Sequence, residues 1–353
     1  MKRKIFNLMA LCATMALSFT SCNKDDDPLE EFVIPSEYVY VLNCGNIGSN
    51  NASLSMYNLQ DSTVVKDIFE AQNGRRLGDT GQDILVYGSK MYITVAGEST
   101  IEITDLEAKS IEQINTEAQP RYLVAHAGKI YVTYYNGYVA RLDTVSLAVE
   151  AKVQVGRNPE RLAIAGNKLY VANSGGLDWD TEVGYDKTVS VVDLVSFTET
   201  KKIEVVLNPT EVESDNAGNV YVISKGDYVN VPNTLQKINT QTDDVSIVSG
   251  IDGTVFAAAG NTLYSIYSQW GVAEILYYSY NTTNNTVLSN NFIGSTNISG
   301  PYQINYDSNY EGLFITASDY INDGDVYIFD KTNKFVNTFE VGLNPMKAVY
   351  VKK

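Results

Sequence analysis

The stretch RNPERLAIAGNKLYVAN (157–173) recurs along this chain, and its recurrence decides the fold. A self-similar unit of this length indicates one supersecondary element stacked several times, so it is interpreted before any local motif. The other copies, close or loose, are TGQDILVYGSKMYITV (80–95), AQPRYLVAHAGKIYVTY (118–134), LNPTEVESDNAGNVYVIS (207–224), GTVFAAAGNTLYSIY (253–267), SGPYQINYDSNYEGLFIT (299–316) and the partial LNPMKAVYV (343–351).

Each copy of the unit has the pattern of four short strands. An apolar strand follows the proline, a turn with Gly, Asn or Lys comes next, and a strand rich in Tyr and Val follows that turn. A third strand ends near an Asp, as in 190–193 and 326–330, and a polar, alternating strand such as 202–205 completes the unit. Period-2 alternation with β-branched and aromatic residues indicates strands, and no segment after residue 30 has a helical stripe. Four short strands per repeat predict the blades of an all-β propeller.

The blade count follows from the position at which each unit starts. Six complete units run from Gln82 to about Val341, and the seventh is split between the two ends of the chain. Residues 38–43 form a second-strand motif, and 343–351 form the missing first strand. Pairing them in one blade closes the ring and covers strand edges that would otherwise be exposed, so we predict seven blades. The alternative, a stack that does not close, leaves 348–351 without a role. The starting positions are Gln82, Pro120, Pro159, Pro209, Gly253, Pro301 and Pro345.

The second-strand motif carries a family resemblance. Tyr-Val-Ala-Asn at 170–173, with Tyr-Val-Tyr-Val at 38–41 and Tyr-Val at 221–222, resembles the YVTN family of seven-bladed propellers. The resemblance covers the predicted propeller domain, 37–353. It is specific for the fold and weak for function, because propellers host many unrelated activities.

The N-terminal segment predicts where in the cell the protein is located. A basic start at 2–4 and an apolar run at 5–17, too short to span a bilayer, indicate a signal peptide over 1–21. Leu-Ser-Phe-Thr-Ser-Cys at 17–22 resembles a bacterial lipobox, which implies lipidation of Cys22; the alternative is an ordinary cleavage site with an accidental Cys. The acidic run after Cys22 resembles the surface-export signal of Bacteroidetes lipoproteins. We therefore expect 22–36 to be a flexible acidic tether and the protein to be anchored at the outer membrane, on the cell surface.

Charge and cysteine content restrict the partners. Lys and Arg number 26 against 42 Asp and Glu, which gives a formal net charge of −16 and disfavours nucleic acid and anionic membrane surfaces as partners. Of three cysteines, one leaves with the signal peptide and one carries lipid, so Cys44 remains alone and no intramolecular disulfide is expected. Its place at a strand end favours a packed side chain over a nucleophile.

Catalytic constellations are sparse in this sequence. The single histidine, His126, falls at a turn between two strands, which argues against a catalytic dyad or a multi-histidine metal site. The Asp-Gly at 323–324 is typical of a turn and lacks the rest of a calcium-binding loop. We therefore expect no enzyme, no cofactor and no metal ion. A paired-carboxylate hydrolase or lyase stays open as an alternative, because sequence does not reveal distances between acids such as Asp178, Asp180 and Glu182.

The candidate ligand site lies in the loops between second and third strands, which share one face with the connections between blades. These loops, at 43–52, 173–187, 225–233, 268–274 and 318–325, are long and aromatic. Exposed aromatic groups mixed with polar ones are typical of binding sites, and Trp, Tyr and Arg are frequent hot-spot residues. Arg161 falls near the same face. The predicted ligand-binding residues are Trp179, Trp270, Tyr135, Tyr138, Tyr185, Tyr228, Tyr320, Arg75, Arg76, Arg121 and Arg157.

Lipobox, acidic tether and YVTN-like propeller together resemble the BtuG group of Bacteroidetes surface lipoproteins. The resemblance implies capture of cobalamin or another corrinoid and its transfer to a TonB-dependent outer-membrane transporter. A surface propeller that captures ferric siderophores is the second interpretation. A surface-layer, adhesion or protein-interaction propeller is the third, and an enzyme is the fourth.

Overall fold

A ring of seven four-stranded antiparallel sheets forms the architecture in the computed structural model, which describes residues 34–269 and 271–353. These residues form 28 strands, β1 to β28 in chain order, and one short helix. The prediction of an all-β, seven-bladed propeller is confirmed. No helix within this described part of the chain is long and apolar enough to cross a membrane. The predicted signal peptide (1–21) and most of the predicted tether (22–36), with Cys22, lie outside the described residues.

Two inner layers of strands surround the central channel. The innermost strands of successive blades are neighbours around the ring. They are β4 (Gly81–Tyr87), β8 (Pro120–His126), β12 (Pro159–Ala165), β16 (Pro209–Ser214), β20 (Val255–Ala259), β24 (Pro301–Asp307) and β28 (Pro345–Lys352). The second strands are β1 (Glu37–Asn43), β5 (Lys90–Val95), β9 (Lys129–Tyr134), β13 (Lys168–Asn173), β17 (Val220–Ser224), β21 (Thr262–Tyr267) and β25 (Gly312–Ala317).

Two outer layers complete each blade. The third strands are β2 (Ser53–Asn58), β6 (Thr100–Asp105), β10 (Tyr138–Asp143), β14 (Thr188–Asp193), β18 (Thr234–Ile238), β22 (Leu276–Asn281) and β26 (Asp323–Phe329). The outermost strands are β3 (Val64–Val65), β7 (Ser110–Asn115), β11 (Val149–Gln154), β15 (Thr198–Glu204), β19 (Val245–Ile247), β23 (Thr286–Ser289) and β27 (Phe335–Leu343).

The split blade closes the ring as predicted. Strand β28 pairs with β1 from Glu37↔Lys352 to Asn43↔Pro345, so the two ends of the chain form neighbouring strands of blade 1. The inner edge of β28 then lies beside β4 of blade 2. Blades 2 to 7 follow in chain order, each built from four consecutive strands.

Packing between blades explains the Tyr-Val motif of the second strands. Tyr40, Tyr92, Tyr170 and Tyr221 are each fully buried, and Tyr131 is 3% exposed, as predicted for strand residues that fill the space between blades. Burying an aromatic side chain stabilises a protein by roughly 1.5–3 kcal/mol. These tyrosines occur in five of the seven second strands and therefore contribute to the cohesion between neighbouring sheets.

Asn-Pro dipeptides fix the connections between blades. Asn158, Asn208 and Asn344 precede the first residue of an innermost strand and have positive φ values of 45°, 62° and 55°. Asparagine tolerates this left-handed conformation better than most residues. Each side-chain amide donates to a backbone oxygen of a second-to-third loop, for example from Asn344 to Gly45 at 3.0 Å. The dipeptide thus holds these loops against the connections between blades.

The expectation of no helix after residue 30 is wrong at one place. Helix α1 (Ile68–Asn73) lies between β3 and β4 and ends at Gly74, whose φ of 65° suits glycine. With six residues it is too short to show a helical stripe in the sequence. It forms because Ile68 and Phe69 are buried against the third strand of blade 1.

The two ends of the ring differ. We call the end that carries the second-to-third loops the loop face, and the end that carries the first-to-second and third-to-fourth turns the turn face. Strand β1 begins at the turn face, beside the end of β28, so the chain enters the propeller there. The loop face is therefore free of the chain termini of the propeller.

Candidate functional site

A cavity of about 730 Å³ opens at the loop-face end of the central channel; we call it the mouth cavity. Its wall comes from the first residues of innermost strands and from second-to-third loops, so several blades contribute to it. This is the face on which the sequence placed a ligand site. Its lining includes Arg121, Glu160, Glu211, Lys225, Gln269, Tyr302, Gln303 and Tyr320.

One wall of the mouth cavity is a bonded cluster around Arg121. The Arg121 guanidinium donates to the Glu160 carboxylate at 2.9 and 3.1 Å and lies 4.2 Å from the centre of the Tyr135 ring. The Tyr135 hydroxyl also donates to Glu160, and Arg121 reaches Gln82 on the other side. Arg121 and Tyr135, both predicted ligand residues, are thus held in place by protein partners, which gives this wall a fixed shape.

The floor of the mouth cavity is closed by Arg161. Its Nη2 donates across the channel to Gln303 Oε1 at 2.9 Å, and its Nε lies 2.6 Å from Glu211 Oε2. The guanidinium also lies 4.5 Å from the centre of the Tyr122 ring. These contacts join blades 3, 4, 5 and 7 through a single side chain. Burial raises the pKa of Glu211, and the neighbouring Arg161 and Lys225 oppose that rise.

Below this floor lies a second cavity of about 280 Å³, the lower channel cavity. Lys347 is paired there with Asp83 at 2.9 Å, which ties blade 1 to blade 2. Burial raises the pKa of Glu213 to about 7, even though Arg161 and Lys347 favour its charged form. The lower channel therefore contains a carboxyl group that titrates near neutral pH.

Aromatic side chains form another wall of the mouth cavity. Tyr320 and Tyr302 meet edge to face with ring centres 5.5 Å apart, and Tyr320 remains 60% exposed. Burial raises the pKa of Tyr302, so its hydroxyl stays protonated at neutral pH. The pair offers a ligand one exposed aromatic surface and one phenol group.

A side cavity of about 410 Å³ adjoins the mouth cavity between blades 5 and 6. The two cavities share four lining residues, Lys225, Thr254, Ser268 and Gln269. Tyr228 lines the side cavity but not the mouth cavity. Tyr228 also meets Tyr185 of the neighbouring loop edge to face, with ring centres 6.4 Å apart. Two of the predicted tyrosines therefore lie together beside the mouth, on loops of adjacent blades.

The longest loop, between β13 and β14, is shaped by Arg157. Its guanidinium donates to the Asp178 carboxylate and, at 2.9 Å, to the backbone oxygen of Gly184. The predicted ligand residue Arg157 thus holds the loop that carries Trp179. Trp179 is 64% exposed and does not line the mouth cavity.

Exposed apolar side chains are concentrated on the same loops. Of the 18 large hydrophobic side chains that are exposed in the described parts of the chain, nine lie in second-to-third loops of the loop face. An exposed apolar surface with polar surroundings is typical of an interaction site. The nine are Ile47, Leu177, Trp179, Val183, Tyr228, Val229, Val272, Tyr320 and Ile321.

Within 34–269 and 271–353, the predicted ligand residues that line the mouth cavity are Arg121 and Tyr320 alone. Tyr138 is the first residue of β10 and packs against the core between blades 2 and 3. Arg75 donates to the fully buried Glu102 at 2.9 Å, and Arg76 lines a separate cavity of about 220 Å³ beside α1. Both arginines follow α1 in the chain and are engaged away from the lining of the mouth cavity. Trp270 lies outside the described residues, although its chain neighbours Gln269 and Gly271 line the mouth cavity.

The other residues considered in the sequence, His126 and Cys44, lie in surroundings that do not favour catalysis. His126 ends β8 next to a turn, as predicted. Burial raises the pKa of the half-buried Cys44 to about 11, so its thiol stays protonated and is a poor nucleophile. Within 34–269 and 271–353, no group of three or more His, Cys, Asp or Glu side chains is arranged to hold a metal ion.

Several cavity residues were missed by the sequence interpretation. Glu160, Glu211, Tyr302 and Gln303 lie one or two positions after the proline that starts an innermost strand. That position is the available signal, because the start of each innermost strand lies at the channel mouth. Lys225 directly follows a second strand, Gln269 lies two residues after one, and both were hidden among ordinary loop residues.

Comparisons with known proteins give information on the fold of this chain and none on its function. A family model described as "Domain of unknown function (DUF5074)" matches residues 37–179, less than half of the chain. No curated protein sequence matches. A solved structure titled "Structure of U3-55K" is 7% identical with a TM-score of 0.55, covering 75% of this chain and 82% of its own. A second, "Kuenenia stuttgartiensis Hydrazine Synthase", is 19% identical with a TM-score of 0.46; the match covers 57% of this chain and 60% of that chain. At these identities the first likeness supports a propeller fold, and the second adds no argument.

Proposed function

We propose that this propeller is a cell-surface, lipid-anchored capture protein for a bulky nutrient. It binds the ligand at the mouth cavity and passes it to a TonB-dependent outer-membrane transporter. The ligand we favour is cobalamin or another corrinoid, and ferric siderophores are the alternative. A YVTN-type propeller of Bacteroidetes, similar to the BtuG group, and an anchor at Cys22 are parts of the same proposal.

The observation that carries the proposal is the mouth cavity on the aromatic loop face. Ligand cavities typically measure about 300–1,000 Å³ and combine apolar walls with a few placed polar groups. The mouth cavity, at about 730 Å³, has an aromatic wall of Tyr302 and Tyr320 and a fixed polar wall around Arg121. A wall already held by protein contacts loses little conformational entropy when a ligand binds.

A corrinoid suits the shape and chemistry of this site. It is broad and partly planar with polar amide edges, so one part can enter the mouth while the rest lies on the surrounding loops. The amide groups of Gln269 and Gln303 can bond to such edges, and Tyr320 can stack against the apolar part. A ferric siderophore would use the same aromatic wall but offers a more compact, anionic surface.

The loop face also suits a protein partner. Its exposed apolar side chains surround the mouth, so a transporter docked over it would cover ligand and loops together. The chain enters the propeller at Glu37 on the turn face, the end opposite the mouth cavity. A propeller that serves only adhesion or protein interaction would use these loops without filling the mouth cavity.

Co-elution experiments test the proposal. The purified full-length protein is mixed with cyanocobalamin, with a ferric tris-catecholate, or with neither, and passed over a gel-filtration column. We expect coloured cobalamin to elute with the protein. Retention of the ferric catecholate alone would favour the siderophore alternative. Retention of neither would reject nutrient capture and favour an adhesion or interaction role.

A further inference from the structure

Lys225 lies where the mouth cavity meets the side cavity. It follows the last residue of β17 and lines both cavities with Thr254 and Gln269. Its ammonium donates to the backbone oxygen of Thr254. In the parts of the chain that the structure describes, no carboxylate lies within ion-pair distance of it. An ammonium group has three donors, so two of them remain for a ligand.

The acidic groups of the mouth cavity are already engaged. Glu160 accepts from Arg121 and Tyr135, and Glu211 is paired with Arg161. Asp319 accepts two backbone N–H groups of its own turn, at 2.9 and 2.7 Å. The carboxylates on the wall therefore accept from protein donors, whereas Lys225 has a backbone oxygen but no carboxylate as its partner among the described residues.

Amide groups near Lys225 add further donors. Gln303 Oε1 accepts from Arg161, and because arginine has no acceptor, the amide nitrogen of Gln303 must be on the other side. Gln269 Oε1 accepts from the Tyr267 hydroxyl at 2.6 Å. Neither amide nitrogen has an acceptor among the described residues. The cavity thus offers unengaged amide donors together with the ammonium of Lys225.

Burial makes the charged form of Lys225 less favourable than it is in water. Burial lowers the pKa of Lys225, although Glu211 and Glu160 favour its charged form. A partly buried charge without an ionic partner is costly, and an anion brought by a ligand would remove that cost. The unpaired cation and the free amide donors of the described residues therefore favour an anionic group of the ligand, placed where the two cavities join.

We propose that Lys225 anchors an anionic group of the captured ligand, a phosphodiester or carboxylate, at the junction of the two cavities. The amides of Gln269 and Gln303 orient the rest of the ligand in the mouth cavity, and a second part of it enters the side cavity beside Tyr228. This inference rests on the proposed function, because it concerns the same cavity. The inference adds that the ligand has one part for the mouth cavity and one for the side cavity, and that an anionic group lies where the two parts join.

The test uses the full-length protein and three variants. Lys225→Gln removes the charge, Lys225→Arg keeps it, and Lys331→Gln, an exposed lysine of the turn face, is the control. The ligands are cyanocobalamin, which has a phosphodiester, and dicyanocobinamide, which has none. We expect Lys225→Gln to weaken cyanocobalamin binding at least tenfold and dicyanocobinamide binding less than twofold. Lys225→Arg should retain most of the affinity, and the control all of it.

The outcomes separate this inference from the proposed function. If Lys225→Gln binds cyanocobalamin as wild type does, the Lys225 anchor is wrong while nutrient capture stands. If no corrinoid or ferric catecholate binds, nutrient capture fails, and citrate and dimethyl phosphate decide the inference. Shifts of the Lys225 Nζ resonance by either anion would support it. Absence of such shifts in the wild-type protein would overturn it.

Discussion

Arg161 of blade 4 donates a hydrogen bond across the central channel to Gln303 of blade 7, with 2.9 Å between Nη2 and Oε1. The same guanidinium lies 2.6 Å from the Glu211 carboxylate of blade 5. The contact joins innermost strands that are 142 residues apart in the chain. It both closes the floor of the mouth cavity and braces the ring from inside.

Removal of this brace should be costly. Arg161→Ala leaves the carboxylate of Glu211, which is only 7% exposed, without its cation. Breaking a buried ion pair in this way typically costs ~3–5 kcal/mol. Urea unfolding should show this loss, and Arg161→Leu combined with Glu211→Leu should recover much of it. Lys187→Ala, which removes an exposed pair with Glu204, should cost less than ~1 kcal/mol. Equal midpoints for Arg161→Ala and wild type would disprove the bracing role.

The lower channel predicts a pH dependence of stability. With a pKa of about 7 against a usual 4.5, Glu213 keeps a proton in the folded state that the unfolded chain releases within this interval. Stability therefore falls as pH rises from 4.5 to about 7, by ~2–3 kcal/mol for this group. Glu213→Gln should remove that decline, so its gain over wild type is larger at pH 8 than at pH 5.

Urea midpoints at the two pH values measure the effect. Glu112→Gln, an exposed side chain of β7, is the control and should follow the wild-type profile. A Glu213→Gln protein whose stability changes with pH as wild type does would show that Glu213 titrates normally.

Ring closure can be tested by truncation. Deletion of 343–353 removes β28, whose residues Ala348, Tyr350 and Val351 are buried, exposes the paired edge of β1 and removes the neighbour of β4. We expect the melting temperature of the whole domain to fall by about 10 °C or more, in one transition. Removal of Lys353 alone, which makes an exposed pair with Glu107, should have little effect. A truncated protein with a wild-type melting temperature is incompatible with closure through this blade.

Arg75 should matter for stability and not for ligand binding. Its contact with the buried Glu102 predicts that Arg75→Ala costs ~1–3 kcal/mol, because that carboxylate loses its cation. Ser110 and Gln113 still bond to the carboxylate, which limits the loss. Arg76→Ala, which removes one 3.2 Å bond to the Asn50 oxygen, serves as the control. If Arg75→Ala weakened ligand binding in a stable protein, the site would extend to α1.

Local patterns predicted the fold because a propeller is built from local contacts. Alternation and turn residues lie within each blade, and Tyr170 or Tyr221 reports burial through its own strand motif. Ring closure was also predictable, because the two partial units complement each other and together make one four-stranded blade. Helix α1 was not, because six residues held by the burial of Ile68 and Phe69 leave no periodic signal.

The site was predictable only to the level of the face. Arg121 and Tyr320 do line the mouth cavity, since their positions in the repeat place them at its opening. Arg75 does not, because its guanidinium is bound to the buried Glu102 of blade 2. The role of Arg161 as a floor depends on a partner in another blade, and no spacing within one repeat reveals such a partner.

The most direct test of ligand capture at the loop face is a calorimetric titration of cyanocobalamin into three full-length proteins. Tyr320→Ala removes an exposed ring of the mouth cavity, and Val195→Ala removes a side chain that is 80% exposed on the turn face. We predict saturable binding to wild type, at least tenfold weaker binding to Tyr320→Ala, equal to ~1.4 kcal/mol, and no change for Val195→Ala. No binding to wild type, or equal affinities for wild type and Tyr320→Ala, would contradict the account.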